Sequence, residues 1–372
     1  MKPIQMVDLQ GQYEAIKDEI DAGIAQVIRS AKFINGPEVG LFEKELADYL
    51  DAGHVVACAN GTDALQIALM ALDLPPDAEI IVPAFNYVAA AEVVALLKYK
   101  LVFADVHPRY FTLDSEDVRR RVTPKTKVII AVHLFGQGAP MEELMKLAHE
   151  HGLYVIEDNA QSIGADYIFS DGSRKKLGTI GHIGTTSFFP SKNLGCYGDG
   201  GAVITNDPHL ASAMRSIASH GQSKKYYYQR VGINSRLDTL QAAILRPKLK
   251  RLDEYIIRRR EAADFYNRHL QQVDWLILPE CAPYSTHVYH QYTVQVKEKN
   301  RDNLAAHLAA FQIPTMVYYP EALHKAPAYH RQEISLPVAE ALTSSVISLP
   351  MHTELTHDQL TYICDAIKSY GT

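Results

Sequence analysis

The chain offers no cysteine framework. Its four cysteines, at positions 58, 196, 281 and 364, have no paired spacing, which excludes a disulfide-stapled secreted scaffold and fits a reducing compartment. No stretch reaches the roughly 18 uninterrupted apolar residues of a membrane-crossing helix, so no membrane insertion is expected. The opening MKPIQMVDLQGQYEAIKDEI acquires acidic residues before any apolar core of signal-peptide length, and cytoplasmic placement is the expectation. Positive charge is in deficit. The 37 Lys and Arg against 43 Asp and Glu leave a formal −6, which argues against nucleic acid as a partner while leaving room for an anionic ligand at one local cationic site. Neither GxxxxGK[ST] nor GxGxxG occurs, so nucleotide hydrolysis and dinucleotide binding lose their usual signatures. Internal repeats and low-complexity tracts are also lacking, and no metal is expected.

The 372 residues, 47% of them hydrophobic and 22% charged, can bury a large core without a staple. At roughly 150 residues per domain they suffice for about two domains. Residues 13–30 place Ile16, Ile20, Ile24, Val27 and Ile28 at the spacing of one helical face. A turn at Asn35-Gly36-Pro37 and a helix from about 40 to 50 follow. Short apolar runs then alternate with helical patterns: strand-like segments at 54–59, 79–82, 101–106, 127–133 and 153–157, helical ones at 62–72, 88–98 and 141–151. This order predicts an α/β sandwich around a largely parallel sheet buried on both faces.

Beyond Gly181, two further β-like runs (182–189 and 200–205) flank a glycine-rich turn, and a helix runs to about Ser219. The polar, aromatic stretch Lys224–Arg230 reads as an exposed loop. Residues 237–270 hold one long helical pattern in which Pro247 predicts a kink and a hinge. The division expected is therefore a large domain over 1–246 and a small α+β domain over 247–372, with a strand near 288–296 and helices from about 301 and 356.

Three clusters carry chemistry. In Ser187-Phe188-Phe189-Pro190-Ser191-Lys192-Asn193-Leu194-Gly195 a lysine follows an apolar β-run. Partial burial there would lower its pKa toward the neutral amine that imine formation needs, although a surface turn with an ordinary lysine reads the same way. In Val155-Ile156-Glu157-Asp158-Asn159-Ala160-Gln161 two carboxylates end a strand, where ligand crevices form in parallel sheets. Strand alternation lets only one of them face a ligand. Such a group can keep a pyridinium nitrogen protonated, or it can be a capping group. Asn60-Gly61-Thr62-Asp63 joins a strand to a helix, and its free N–H groups suit either a phosphate or a plain N-cap.

The ordered motifs NGTDAL, VPAFNYVAAAEVV, VIEDNAQSIGA, SFFPSKNLGCYGDGGAV and RVGINSRLDTLQAAIL resemble the DegT/DnrJ/EryC1/StrS family of sugar aminotransferases. The resemblance runs from MVDLQGQY at 6–13 to SLPMH at 348–352. It implies fold-type I pyridoxal-phosphate architecture and a homodimer with shared active sites. It also implies amino transfer from L-glutamate to a keto sugar carried on a nucleotide, with pyridoxamine 5'-phosphate as the intermediate form of the pyridoxal 5'-phosphate cofactor.

By the same resemblance, Lys192 matches the lysine that bonds the cofactor, and Asp158 the carboxylate facing its ring nitrogen. Gln161 matches the residue beside the ring's phenolic oxygen, and Tyr87 the aromatic that covers one ring face. Gly61, Thr62, Asp63 and Ser187 match the phosphate site. Asn234 matches the residue that reaches the neighbouring subunit's cofactor. The motifs most closely resemble the branch acting on UDP-2-acetamido-2-deoxy-3-oxo-D-glucuronate. There Arg230 takes the place of an arginine suited to the sugar carboxylate, or equally to a nucleotide phosphate. Tyr318, in Val317-Tyr318-Tyr319-Pro320, offers a hydroxyl where that branch often carries His-Tyr-Pro, so a dTDP- or UDP-linked 3- or 4-keto-6-deoxy sugar is the alternative substrate. A non-enzymatic regulator that kept the fold is the alternative of a different class.

Overall fold

The computed structural model describes residues 2–297, 300–329 and 334–370. Nine strands occupy the first part of the chain: β1 (His54–Cys58), β2 (Glu79–Pro83), β3 (Lys100–Ala104), β4 (Thr126–Val132), β5 (Tyr154–Asp158), β6 (Asp166–Ile168), β7 (Arg174–Lys176), β8 (Ile183–Ser187) and β9 (Gly201–Thr205). Seven of them form one sheet in the order β1-β9-β8-β5-β4-β2-β3. Only β9 runs against its neighbours; the remaining pairings are parallel. β6 and β7 make a separate hairpin.

Both faces of the sheet are buried, as its near-continuous apolar strands require. Val56, Ile80, Val82, Val128, Ile130 and Ile156 pack on one side; Val55, Ile81, Ile129, Ala131 and Val155 pack on the other. A small sheet of β12 (Leu276–Ile277), β13 (Tyr292–Val296) and β14 (Val346–Leu349) builds a third core with the helix His357–Ser369. Between them in sequence, β10 (Gln222–Lys224) and β11 (Tyr227–Tyr228) form an exposed hairpin. The architecture is the fold-type I arrangement: a large domain with a helix-covered mixed sheet and a smaller α+β domain.

Two expectations need correction. The helix expected over 13–30 is two helices, Leu9–Ala15 and Lys17–Ser30, interrupted at Ile16. Within the second, Ile20 and Val27 are buried but Ile28 is 56% exposed. At 3.6 residues per turn, Ile28 lies about 80° around the helix from Ile20, outside the stripe that Ile20, Ile24 and Val27 share. The kink expected at Pro247 comes later. The helix Thr239–Leu249 contains Pro247 and ends before Arg251, whose φ of −109° opens the next helix, Leu252–Leu270. Pro247 removes only its own N–H from the ladder, and the chain departs from helical geometry one turn further on. Leu252 and Ile256 still pack with the large sheet, whereas Ala262, Tyr266 and Leu270 pack with the small one.

The carboxyl edge of the large sheet positions the site. The segments after β1, β2, β5 and β8 all leave from this edge, together with the end of β4, and they bring Asn60–Thr62, Asn86–Tyr87, Asp158–Gln161, Ser187–Lys192 and Val132 to one place.

Candidate active site

These segments enclose a cavity of about 530 Å³, within the usual range for a small-molecule or cofactor site. Eight of the residues singled out from the sequence line it: Gly61, Thr62, Tyr87, Asp158, Gln161, Ser187, Lys192 and Tyr318. Three do not. The Asp63 N–H is taken by the side chain of Asn60 at 2.8 Å, so Asn60 caps the helix Gly61–Ala71 and Asp63 stands behind the first turn. Arg230 and Asn234 are exposed beyond the β10–β11 hairpin, outside this chain's own cavity.

Strand alternation separates the two carboxylates at the end of β5. Glu157 points away from the cavity and is fully buried. It accepts hydrogen bonds from His133 Nε2 (2.8 Å) and from the N–H groups of Gly178 (2.8 Å), Ile180 and Gly181 (both 2.6 Å). Burial opposes its charge, yet these donors hold its carboxyl below the ordinary range. Asp158 faces the cavity with one donor, the Ala160 N–H at 3.1 Å. Burial therefore pushes its pKa up, against the pull of that N–H and of Lys192. An under-bonded buried carboxylate of this kind is completed by a cationic N–H donor.

Lys192 sits on a turn closed by its own N–H to the Phe189 carbonyl at 2.8 Å and by Cys196 N–H to Phe188 at 2.8 Å. Burial pulls its amine down from 10.5 to about 8, partly offset by Asp158. A substantial neutral fraction therefore exists near physiological pH, as a nucleophilic amine requires.

At the opposite end of the cavity, the helix Gly61–Ala71 begins its hydrogen bonding with Ala64 N–H to Asn60 C=O, which leaves the N–H groups of Gly61 and Thr62 for an anion. Gly61 must be glycine, because a Cβ there would come within 2.7 Å of Ser187 Cβ. Cap and anion cradle thus coexist, with Asn60 serving the first and Gly61, Thr62 and Ser187 the second.

Gln161 is held at both ends. Its Oε1 accepts from Phe135 N–H at 2.7 Å and its Nε2 donates to Tyr319 Oη at 3.2 Å. Tyr87, 56% exposed, stands over the mouth with its ring centroid 6.3 Å from that of Tyr319. Sequence reasoning missed Asn86, Ser191, Asp199, His290, Gln291 and Tyr319 as lining residues. His290 and Asn86 are almost wholly buried, and among the described residues His290 Nδ1 and Asn86 Nδ2 find no hydrogen-bond partner. Burial, then the charges of Lys192 and Arg259, hold the His290 pKa well below its usual value. A polar residue next to a motif tyrosine in the otherwise apolar run VPAFNYVAAA was the one sequence signal available for Asn86.

The cavity fits pyridoxal 5'-phosphate on its own chemistry: an anion cradle at one end, an under-bonded carboxylate for a ring nitrogen, and an amine with a lowered pKa for an aldehyde. Among the described residues no group of three or more His, Cys, Asp or Glu could hold a metal ion, and no helix is long and apolar enough to cross a membrane.

Comparison with known proteins agrees with this chemistry. The chain is 47% identical over 364 residues to a UDP-2-acetamido-2-deoxy-3-oxo-D-glucuronate aminotransferase of Pseudomonas aeruginosa, covering 98% of this chain and 99% of that one. It is 42% identical over 366 residues to a UDP-N-acetyl-3-dehydro-alpha-D-glucosamine 3-aminotransferase of Acidithiobacillus ferrooxidans, covering 98% and 97%. The crystal structure of S. venezuelae DesV in complex with a ketimine intermediate superposes with a TM-score of 0.94 at 39% identity, covering 100% of this chain and 99% of that one. The sequence profile of the DegT/DnrJ/EryC1/StrS aminotransferase family matches residues 14–368. The chain belongs to that family and is a pyridoxal-phosphate-dependent aminotransferase.

Proposed function

We propose that this enzyme transfers the amino group of L-glutamate to a UDP-linked 3-keto sugar, with UDP-2-acetamido-2-deoxy-3-oxo-D-glucuronate as the leading substrate, in the making of surface polysaccharide precursors. The observation that carries the reaction type is Lys192 and Asp158 in one cavity: burial brings the lysine toward its neutral amine, and it leaves Asp158 a desolvated carboxyl short of the cationic N–H donor that would hold it ionised. Two relatives of more than 40% identity are named for UDP-linked sugars with a 3-oxo or 3-dehydro group, which supports the nucleotide and the position.

Bound in the cavity, pyridoxal phosphate supplies an electron-accepting ring and a carbonyl that carries the amino group between substrates. The chain supplies the rest. Lys192 Nζ holds the cofactor and, once displaced, moves a proton to and from the substrate carbon. Asp158, held ionised by the ring nitrogen's proton, keeps that nitrogen cationic. Gln161 orients beside the phenolic oxygen with its own carbonyl fixed by Phe135 N–H, and Tyr87 covers the ring from the mouth. Gly61, Thr62 and Ser187 bind the phosphate, with Asp63 behind the first turn of the helix.

Asn234 and Arg230 lie outside their own cavity, which supports a homodimer in which each subunit lends them to its neighbour. Exposed apolar residues beside the same regions, Phe189, Tyr226, Tyr227, Tyr228 and Val231, support the same assembly. Tyr318 lines the outer cavity and offers its hydroxyl to the sugar.

Arg230 makes the choice of sugar testable. A guanidinium recognises a C6 carboxylate bidentately, and a 3-keto sugar without that carboxylate gains nothing from it. The enzyme loaded with the amino form of the cofactor is titrated with UDP-2-acetamido-3-oxo-glucuronate, the corresponding 3-oxo-glucosamine sugar, and a dTDP-linked 4-keto-6-deoxy sugar. Fastest return of the starting spectrum with the uronate, and loss of that preference in Arg230→Ala, supports the reading. Preference for the dTDP sugar replaces it with the alternative that Tyr318, standing where a histidine is common, favours.

A further inference from the structure

A second lysine is buried beneath the turn that carries Lys192. Lys248, on the helix Thr239–Leu249, is 1% exposed. Its Nζ donates to the Gly195 carbonyl at 2.8 Å and lies 4.4 Å from the ring centroid of Tyr197. Gly195 and Tyr197 stand three and five residues after Lys192. The turn between them is tight, since a Cβ on Gly195 would meet the Pro190 carbonyl oxygen at 2.3 Å. Its other ties are Asn193 Nδ2 to the Val288 carbonyl at 3.0 Å and Tyr197 N–H to Gln241 Oε1 at 2.9 Å.

Lysine is almost never fully buried without a carboxylate partner, and among the described residues no carboxylate pairs with Lys248. Its charge is directed at one carbonyl dipole and one aromatic face. A methionine of similar volume would fill the space without the desolvation cost, so burying an amine here is costly unless the contact it makes matters. That contact is to the backbone three residues from the amine that reacts.

We propose that Lys248 is a positioning residue for Lys192, fixing the 190–198 turn through Gly195 and Tyr197 so that the Lys192 amine is held at its place in the cavity. The proposal rests on the reading of Lys192 given above. Gln241 and Lys248 both tie the turn to the helix Thr239–Leu249, Gln241 through the Tyr197 N–H and Lys248 through the Gly195 carbonyl, which is the nearer of the two to Lys192 in sequence. Misplacement by about 1 Å at a reacting group lowers rate by up to about 100-fold while leaving ground-state binding largely intact.

Two readouts test it on the full-length protein. The first is the glutamate half-reaction of the cofactor-loaded enzyme, followed by loss of its visible absorbance. Lys248→Met is expected to slow this step about 10- to 100-fold with little change in the glutamate concentration for half-saturation. The second needs no catalysis. The cofactor-free protein is acetylated with a lysine-reactive ester at a series of pH values, and Lys192 modification is read by peptide mass against the other lysines. In Lys248→Met the Lys192 profile is expected to shift alone.

Tyr197→Leu, which removes the ring but keeps the carbonyl contact, is expected to give a smaller change of the same sign. It supplies the test should Lys248→Met not fold. Tyr197→Phe keeps the ring and is expected to behave as wild type. An unchanged Lys192 labelling profile and an unchanged half-reaction in folded Lys248→Met, or in Tyr197→Leu in its place, overturn the proposal. If glutamate leaves the wild-type spectrum unaltered, the catalytic reading of Lys192 fails, and the labelling profile alone decides the role of Lys248.

Discussion

Replacing Glu157 by glutamine removes the charge that four donors share and leaves a single carbonyl oxygen to serve His133 Nε2 and the N–H groups of Gly178, Ile180 and Gly181. His133 Nδ1 already accepts from Ala139 N–H at 3.0 Å, so the Nε2 proton points at Glu157 and has nowhere else to go. At least two buried donors lose their acceptor, each worth about 1–3 kcal/mol, which makes a loss of about 3 kcal/mol the expected size. For a chain this long that is a fall in melting temperature of about 4 °C.

The neighbouring change has the opposite profile. Asp158→Asn removes a desolvated carboxylate whose folded pKa is raised, so stability stays level or rises by about 1 kcal/mol, whereas the glutamate half-reaction falls about 100-fold or more. The pH dependence follows the same division. Glu157, with its folded pKa depressed, contributes stability that is present above the ordinary carboxylate range and lost as pH falls through its folded value. Asp158 ionisation costs stability as pH rises past the ordinary aspartate range. The assay is thermal unfolding of cofactor-free wild type and both variants at one protein concentration, from about pH 3 to about pH 8, so that the range below the ordinary carboxylate value is covered. Equal melting shifts in the two variants, or a neutral Glu157→Gln, refute the division of labour between these carboxylates.

Three further outcomes are expected. Covalent capture of pyridoxal phosphate by the cofactor-free enzyme accelerates as pH rises and levels off above about 8, the value to which burial brings the Lys192 amine. A midpoint above pH 10 (about the unperturbed lysine value) in that rate profile contradicts the burial argument. Gly61→Val pushes a side chain into Ser187 and weakens cofactor binding about tenfold or more, measured by absorbance titration, while circular dichroism of the cofactor-free protein is unchanged. Mixing inactive Lys192→Ala and Asn234→Ala chains restores roughly a quarter of wild-type activity if Asn234 serves the neighbouring subunit, and nothing if it serves its own.

Much of this site was legible because its residues sit where local rules hold. Strand alternation assigns Glu157 and Asp158 to opposite faces before any tertiary contact is known, and an N-cap by Thr62 or Asn60 is expected from residue type alone, with Asn60 taking it in the structure. Lys192 stands out as a charge inside an apolar and glycine-rich run. What the sequence hid depends on distant chain segments. The donors that fix Glu157 come from residues 133 and 178–181, and nothing near position 157 encodes them. Tyr319, His290 and Gln291 reach the cavity from the C-terminal part of the chain, so their lining role appears only after packing.

Errors of element boundary have similar causes. Ile28 follows helical spacing yet lies off the buried stripe. Pro247 is tolerated inside its helix, where Lys248 and its neighbours are packed on all sides, and the break falls a turn later. The reversed direction of β9 is likewise a property of the sheet, since its run GAVIT reads like the apolar strands that run parallel elsewhere in the same sheet.

The most direct test of the central claim is the absorbance spectrum of the purified protein with pyridoxal phosphate, before and after L-glutamate, beside Lys192→Ala. Wild type is expected to show a visible band that borohydride bleaches and glutamate converts to the shorter-wavelength amino form, with neither band nor conversion in the variant. A wild-type protein that forms no such band, or a Lys192→Ala protein that still converts with glutamate, contradicts that claim.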